Sequence, residues 1–232
     1  MKAGELIALL ASVEPWSPVE IKGAVLTRED LKNLQFKRAQ LTDVTFDGCD
    51  LTKCWFLKCQ LVNVRFVGSK LDNTDFSDTK FTGLEVADCS MQEASLAYTV
   101  GTGVWIESTR FDQTSLVKTF WKGVRAPGIS FAGANATRAT FDDADLRGAS
   151  LVDANLLAVS LTDVDLRGAT VQNSDWTRAR LERVRLGGVT GRATETQRLL
   201  ARDVELGESA EAPGRRANTE DVAQALASGV FR

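Results

Sequence analysis

Hydrophobic and polar residues alternate along this chain with a period of five. Counting in fives from Ile21 to Leu186 gives 34 positions, and 33 of them are hydrophobic, Gly101 being the exception. At 44% hydrophobic overall, the chain would place only about 15 such residues there at random. A second column lies two residues before the first. It holds Ala, Cys, Ser, Thr or Val everywhere except Glu29, Leu34, Leu84 and Ile129. A third column, two residues after the large one, collects 11 of the 18 glycines together with Asn33, Asn63, Asn73, Asp43, Asp78 and Asp153. These residue types tolerate positive φ, so the third column predicts turns.

Five matches neither the 3.6 of a helix nor the 2.0 of an uninterrupted strand, which excludes an amphipathic helix bundle. A chain that turns once every five residues, pointing one large and one small side chain inward each time, satisfies all three columns. The segments Ala144-Asp145-Leu146-Arg147-Gly148, Ala154-Asn155-Leu156-Leu157-Ala158 and Val164-Asp165-Leu166-Arg167-Gly168 show the unit plainly. In this it resembles the pentapeptide-repeat family over residues 21 to about 190. The resemblance implies an all-β fold, a right-handed quadrilateral β-helix of four pentapeptides and 20 residues per coil. About 8 coils are expected, stacked at the strand separation of about 4.8 Å. It implies little about function, because one fold carries many roles.

The ends read differently. Residues 1–20 are expected to form an N-terminal capping helix, with Leu6, Ile7, Leu9, Leu10 and Val13 on one side, Pro15 ending it and Trp16 packed near the first coil. After the repeat at 21–190, a second capping helix is expected at 191–206, carrying Leu199, Leu200, Val204 and Leu206. A flexible linker follows at 207–217 and an amphipathic helix at 218–232, opened by an Asn-x-x-Asp pattern that resembles a capping box. Gly101, Gly103 and the run Ala126-Pro127-Gly128 thin the core and predict a kink or irregular coil between 98 and 130.

Composition narrows the chemistry. The 232 residues include no histidine, which excludes Ser/His/Asp and Cys/His catalysis and removes the commonest metal ligand. With 28 basic and 31 acidic residues, the net charge of -3 argues against a generally basic nucleic-acid binder. No apolar run is long enough to span a membrane. The first ten residues lack the pattern of a signal peptide, so a cytoplasmic protein is expected. Cys49, Cys54, Cys59 and Cys89 all fall in the small inward column, which predicts buried thiols rather than a disulfide or zinc site. No nucleophile and base pair, phosphate loop or metal cluster can be assembled, so no enzyme activity, cofactor or metal is expected.

Two surfaces remain as candidates. Apolar residues occupy outward columns at Trp55, Leu57, Tyr98, Val100, Trp105 and Phe120, and the C-terminal stripe adds Val222, Leu226 and Val230. These point to a protein partner, with the C-terminal helix also a candidate homodimer contact. The leading expectation is therefore a non-catalytic bacterial scaffold or adaptor that presents a rigid surface to a macromolecule, with no direct nucleic-acid or membrane contact. The alternative comes from the resemblance. Some pentapeptide-repeat proteins imitate DNA and occupy the DNA site of type II topoisomerases such as gyrase, conferring resistance to a drug or toxin. Here Asp142, Asp143, Asp145, Asp153, Asp163, Asp165 and Asp175 would form that acidic face, which Arg178, Arg180, Arg183 and Arg185 interrupt.

Overall fold

A computed structural model describes residues 1–12, 18–207 and 216–231. The chain winds into a parallel β-solenoid of about nine turns, with one short helix at each end. In the coils, strand residues pair in parallel with the residue 20 later, as in Leu41↔Leu61 and Phe46↔Phe66, while at the end Val204–Glu205 pairs antiparallel with Arg216–Ala217. The hydrogen bonds between coils follow the same step, with the Gly23 N–H donating to the Thr42 carbonyl at 3.0 Å. Every fifth residue from Ile21 to Leu186 is buried. The core begins as a ladder of phenylalanines. Phe36 and Phe56 stack at 4.3 Å between ring centroids, Phe46 and Phe66 at 5.0 Å, and Phe56 and Phe76 at 4.7 Å. The two ladders interlock edge to face, as at Phe46 and Phe56, the geometry that ring quadrupoles favour.

The small column does more than save space. Its hydroxyls and thiols reach the backbone of the coil before. The Cys54 thiol donates to the Leu31 carbonyl at 2.9 Å, the Ser69 hydroxyl to the Phe46 carbonyl at 3.1 Å, and the Cys59 thiol to the Phe36 carbonyl. In the other direction they accept backbone N–H groups, from Cys49 to Ser69 Oγ at 3.0 Å and from Cys59 to Thr79 Oγ1 at 3.1 Å. Cysteine therefore stands where serine and threonine stand in neighbouring coils. All four cysteines are free and buried.

Three features depart from the sequence reading. The capping helix expected at 191–206 is replaced by another coil, in which Leu200–Arg202 pairs with Arg180–Glu182 and the Leu200 N–H donates to the Ala179 carbonyl at 2.9 Å. The fivefold column simply continues as Gly191, Thr196, Ala201 and Leu206, and a finished coil beneath offers backbone partners that an isolated helix would have to do without. No irregular coil occurs between 98 and 130. Phe120–Lys122 pairs in unbroken register with Val100–Thr102, Arg125 pairs with Trp105, and Arg110 bridges Ser130. Trp121 is the reason: it lies over Gly101, is fully buried, and donates from Nε1 to Thr99 Oγ1 at 3.0 Å. Its indole fills the space that glycine leaves. The corners also accept more than Gly, Asn and Asp, since Arg38, Lys58, Glu93 and Tyr98 all sit at positive φ.

Helix α1 (Ala3–Ser12) closes the first coil with Leu6 fully buried. Its mooring explains one break in the small column. Glu29 accepts the Ala3 N–H at 3.1 Å and pairs with Lys2 at 3.1 Å, contacts that hold its carboxyl below the usual range. Trp16, with Val13 and Pro15, lies outside the described residues, as does most of the expected linker at 207–217.

Helix α2 (Thr219–Ser228) covers the other end. Asn218 and Asp221 exchange side-chain and backbone hydrogen bonds at its start, and Gly229 ends it in the left-handed region. The last coil carries small residues where earlier coils carry large ones, and Val222 and Leu226 fill the deficit, both fully buried. The Thr219 hydroxyl accepts the Ala201 N–H at 3.0 Å and donates to the Ala201 carbonyl at 3.2 Å, while the Ala193 N–H reaches the Leu226 carbonyl at 2.9 Å. Backbone groups on the final edge are thus occupied by the chain itself, which blocks end-to-end strand pairing.

Candidate interaction surface

With its ends covered and its side strands paired on both edges, the rod can offer a partner only outward side chains. Outward groups alternate along each strand and neighbour one another at intervals of 20, so the sheet register decides which of them meet. Val100 and Phe120 are direct cross-strand neighbours, 42% and 43% exposed. Tyr98, 50% exposed, occupies the corner before Val100, with the Lys118 ammonium 5.2 Å from its ring centroid. Trp105, the most exposed tryptophan among the described residues at 54%, lies on the next face, between Glu85 and Arg125. The corner separating it from Val100 is bare, because Gly83, Gly103 and Gly123 stack there, with a Cβ added at Gly123 coming 3.6 Å from the Gly103 nitrogen. Tyr98, Val100 and Phe120 are therefore neighbours on one face and its corner, and Trp105 is exposed around the bare glycine corner on the next face.

The other predicted residues do not join it. Trp55 is exposed and Leu57 half-buried, but a polar coil contributing Asp75 and Ser77 lies between them and Ser95 and Ala97. Lys37 sits 5.8 Å from the Trp55 ring, a smaller separate site. Val222 and Leu226 are buried against the last coil, so the stripe expected to serve a partner or a second copy is consumed within the chain. The reason is the undersized final coil, which leaves an apolar recess to be covered. Only Val230 of that set remains exposed.

The seven aspartates do not form one acidic face either. Asp153 and Asp175 are placed on a different part of the rod from the rest by the 20-residue register, where Asp153 accepts from Asn173 at 3.0 Å and Asp175 from the Thr177 N–H at 2.8 Å. The other five each have a cation. Asp142 pairs with Lys122 at 2.9 Å, Asp143 with Arg125 at 3.0 Å, Asp145 with Arg147 at 2.6 Å, Asp163 with Arg183 at 2.6 Å and Asp165 with Arg167 at 2.6 Å. Hydrogen bonds from Arg147 and Arg183 hold the Asp145 and Asp163 carboxyls below the usual range. These exposed pairs add little stability, but they cancel the charge that DNA imitation would need.

Chemistry is correspondingly sparse. Burial pushes the Cys54 and Cys59 thiols up to about 12 and the Cys89 thiol up to about 11, so they stay protonated and inert. Among the described residues no group of three His, Cys, Asp or Glu side chains converges as a metal site, and no helix is long and apolar enough to cross a membrane.

Comparison with known proteins follows the same line. A family model described as the pentapeptide repeat region matches residues 19–96 and 39–121, and one described as pentapeptide repeats matches 128–156 and 160–190. No curated protein matches the chain. Among solved structures, the chain is similar to HetL, a pentapeptide repeat protein involved in heterocyst differentiation regulation in the cyanobacterium Nostoc sp. strain PCC 7120. The two are 21% identical over 89% of this chain and 95% of HetL, with a TM-score of 0.48. It is also similar to full-length QnrB1, a plasmid-mediated fluoroquinolone resistance protein, at 14% identity over 79% of this chain and 94% of that one, with a TM-score of 0.53. At that identity the likeness to QnrB1 is one of fold.

Proposed function

The chain belongs to the pentapeptide-repeat family, and from that premise we propose that it is a non-catalytic scaffold whose surface around Tyr98, Val100, Trp105 and Phe120 binds another protein. The observation that carries this reading is the exposure of Tyr98, Val100 and Phe120 as neighbours on one face and its corner, with Trp105 exposed around the glycine corner on the next. Isolated exposed apolar residues are ordinary, but a contiguous aromatic group beside a side-chain-free edge is the composition of an interface centre. The rod suits the task because its outward side chains stand on strands paired on both sides, so little order has to be gained on binding.

A photo-crosslinking amino acid at position 120 should yield a discrete adduct with a protein partner, and one at position 53, on another corner, should not. Adducts equal at both positions, or none at 120, would remove the reading. The topoisomerase alternative draws no support from the paired aspartates. In a supercoiling assay with purified gyrase and a fluoroquinolone, the protein is expected neither to inhibit nor to rescue the enzyme.

A further inference from the structure

Net charge and composition hide an asymmetry that the coil register exposes. The corner carrying Tyr98 repeats every 20 residues, and six of its nine positions from 38 to 198 are cationic: Arg38, Lys58, Lys118, Arg138, Arg178 and Arg198. Asp78 is its one carboxylate. All six cations are exposed, and none forms an ion pair among the described residues. The contrast with the Asp142 to Asp165 corner is direct, since there every carboxylate has a cation. In a chain of net charge -3 one edge thus carries three pairs of cations without ion pairs among the described residues, the members of each pair one coil or about 4.8 Å apart and the pairs separated by Asp78 with Tyr98 and by Ala158. The face it borders is flat, bears Val100 and Phe120 at its middle, and ends on the other side at the bare Gly83, Gly103 and Gly123 edge.

We propose that this face receives an acidic amphipathic helix of a partner protein, with apolar residues on Val100 and Phe120 and carboxylates against Lys118 and Arg138. The inference rests on the proposed function and specifies the partner's chemistry. Three observations select this occupant. An added β-strand would need free backbone edges, which the side faces do not have, because each strand there is hydrogen-bonded to the coils before and after it. Carboxylates three or four residues apart on a helix rise about 4.5 to 6 Å, which brackets the coil repeat, whereas alternate residues of an extended strand rise about 6.8 Å. A phosphodiester chain would satisfy the cations but leave the aliphatic Val100 without an apolar partner, so the apolar centre favours protein over nucleic acid.

The test uses the full chain and labelled synthetic helices in fluorescence anisotropy. One probe is an acidic amphipathic helix with leucines at i, i+3, i+4 and i+7; the second has those leucines replaced by serine; the third has its glutamates replaced by lysine; the fourth is oligothymidylate. Only the first should bind, with affinity falling as salt rises. Phe120→Ala should weaken it about tenfold, as should the double variant Lys118→Glu/Arg138→Glu, while Lys53→Glu on another corner should leave it unchanged. Because the changed side chains point away from the core, circular dichroism and thermal unfolding should match the parent. No binding, equal binding of the serine probe, or indifference to both variants would overturn the proposal. So would tighter binding of oligothymidylate lost in the same charge reversals, which would make the edge a nucleic-acid site. If the crosslinker at 120 captures a protein whose binding survives charge reversal, the surface reading stands and the acidic-helix assignment falls.

Discussion

At the scale of single residues, the inward columns are set by fit. Gly101 shows how closely. A Cβ added there would lie 2.9 Å from Trp121 Cδ1 and 3.0 Å from Val104 Cγ2. Gly101→Ala should therefore overpack the core and cost about 1–3 kcal/mol, read as a lower denaturant midpoint with an unchanged m-value. The cysteines make a different point. Their positions were legible from the small column alone, but that their thiols bond backbone carbonyls was not, because the acceptor belongs to the preceding coil. Burial raises Cys54 and Cys59 from 9.0 to about 12, so between those values the unfolded chain has lost protons that the folded chain keeps. Stability should then fall as pH rises from 9 towards 12, and Cys59→Ser should make the fall shallower in alkaline unfolding titrations. A thiol reagent near pH 8 should label native protein slowly and denatured protein at once.

At the scale of elements, the two helices are lids rather than ligands. The apolar spacing of Val222 and Leu226 announced an amphipathic helix but not what it would cover. The recess it fills is defined by Gly191, Thr196 and Ala201, and those residues were themselves misread as helical because Leu199 and Val204 satisfy a five-residue step as well as a helical stripe. Leu226→Glu would drive a carboxylate into that recess and should release α2. We expect rapid proteolysis of the C-terminal segment and self-association through the uncovered edge, seen by size-exclusion chromatography. Far-UV circular dichroism of the rod should change little, since in a solenoid each coil leans mainly on its neighbours.

At the scale of the whole molecule, the rod has a sided charge distribution: one edge carries cations without ion pairs among the described residues, while Asp142, Asp143, Asp145, Asp163 and Asp165 are matched to arginines and lysines. With no histidine, few side chains titrate between about pH 5 and 8, so Tm should be nearly flat across that range. Asp145 and Asp163 are held below their usual range, so the stability they contribute is complete above the unfolded carboxylate range and is lost as pH falls through their folded values. Tm should decline only below about pH 4.5, and high salt should mute the decline because these pairs are exposed.

The sequence by itself determined the coil, its 20-residue circumference and the identity of the core, because the direction of a side chain in a five-residue step is a local matter. Exposed aromatics were legible for the same reason. The same 20-residue circumference places Phe120 beside Val100 and Asp163 beside Arg183. What only the tertiary structure decided is which further contacts close: Glu29 moors the N-terminal helix through Ala3 and Lys2, the Cys59 thiol reaches the Phe36 carbonyl, and Val222 and Leu226 are buried over the last coil. Each of those relations spans at least one complete turn of the chain. It exists only once the coil has closed and the next has docked in register, so it depends on the geometry of the closed solenoid and not on any local run of residues.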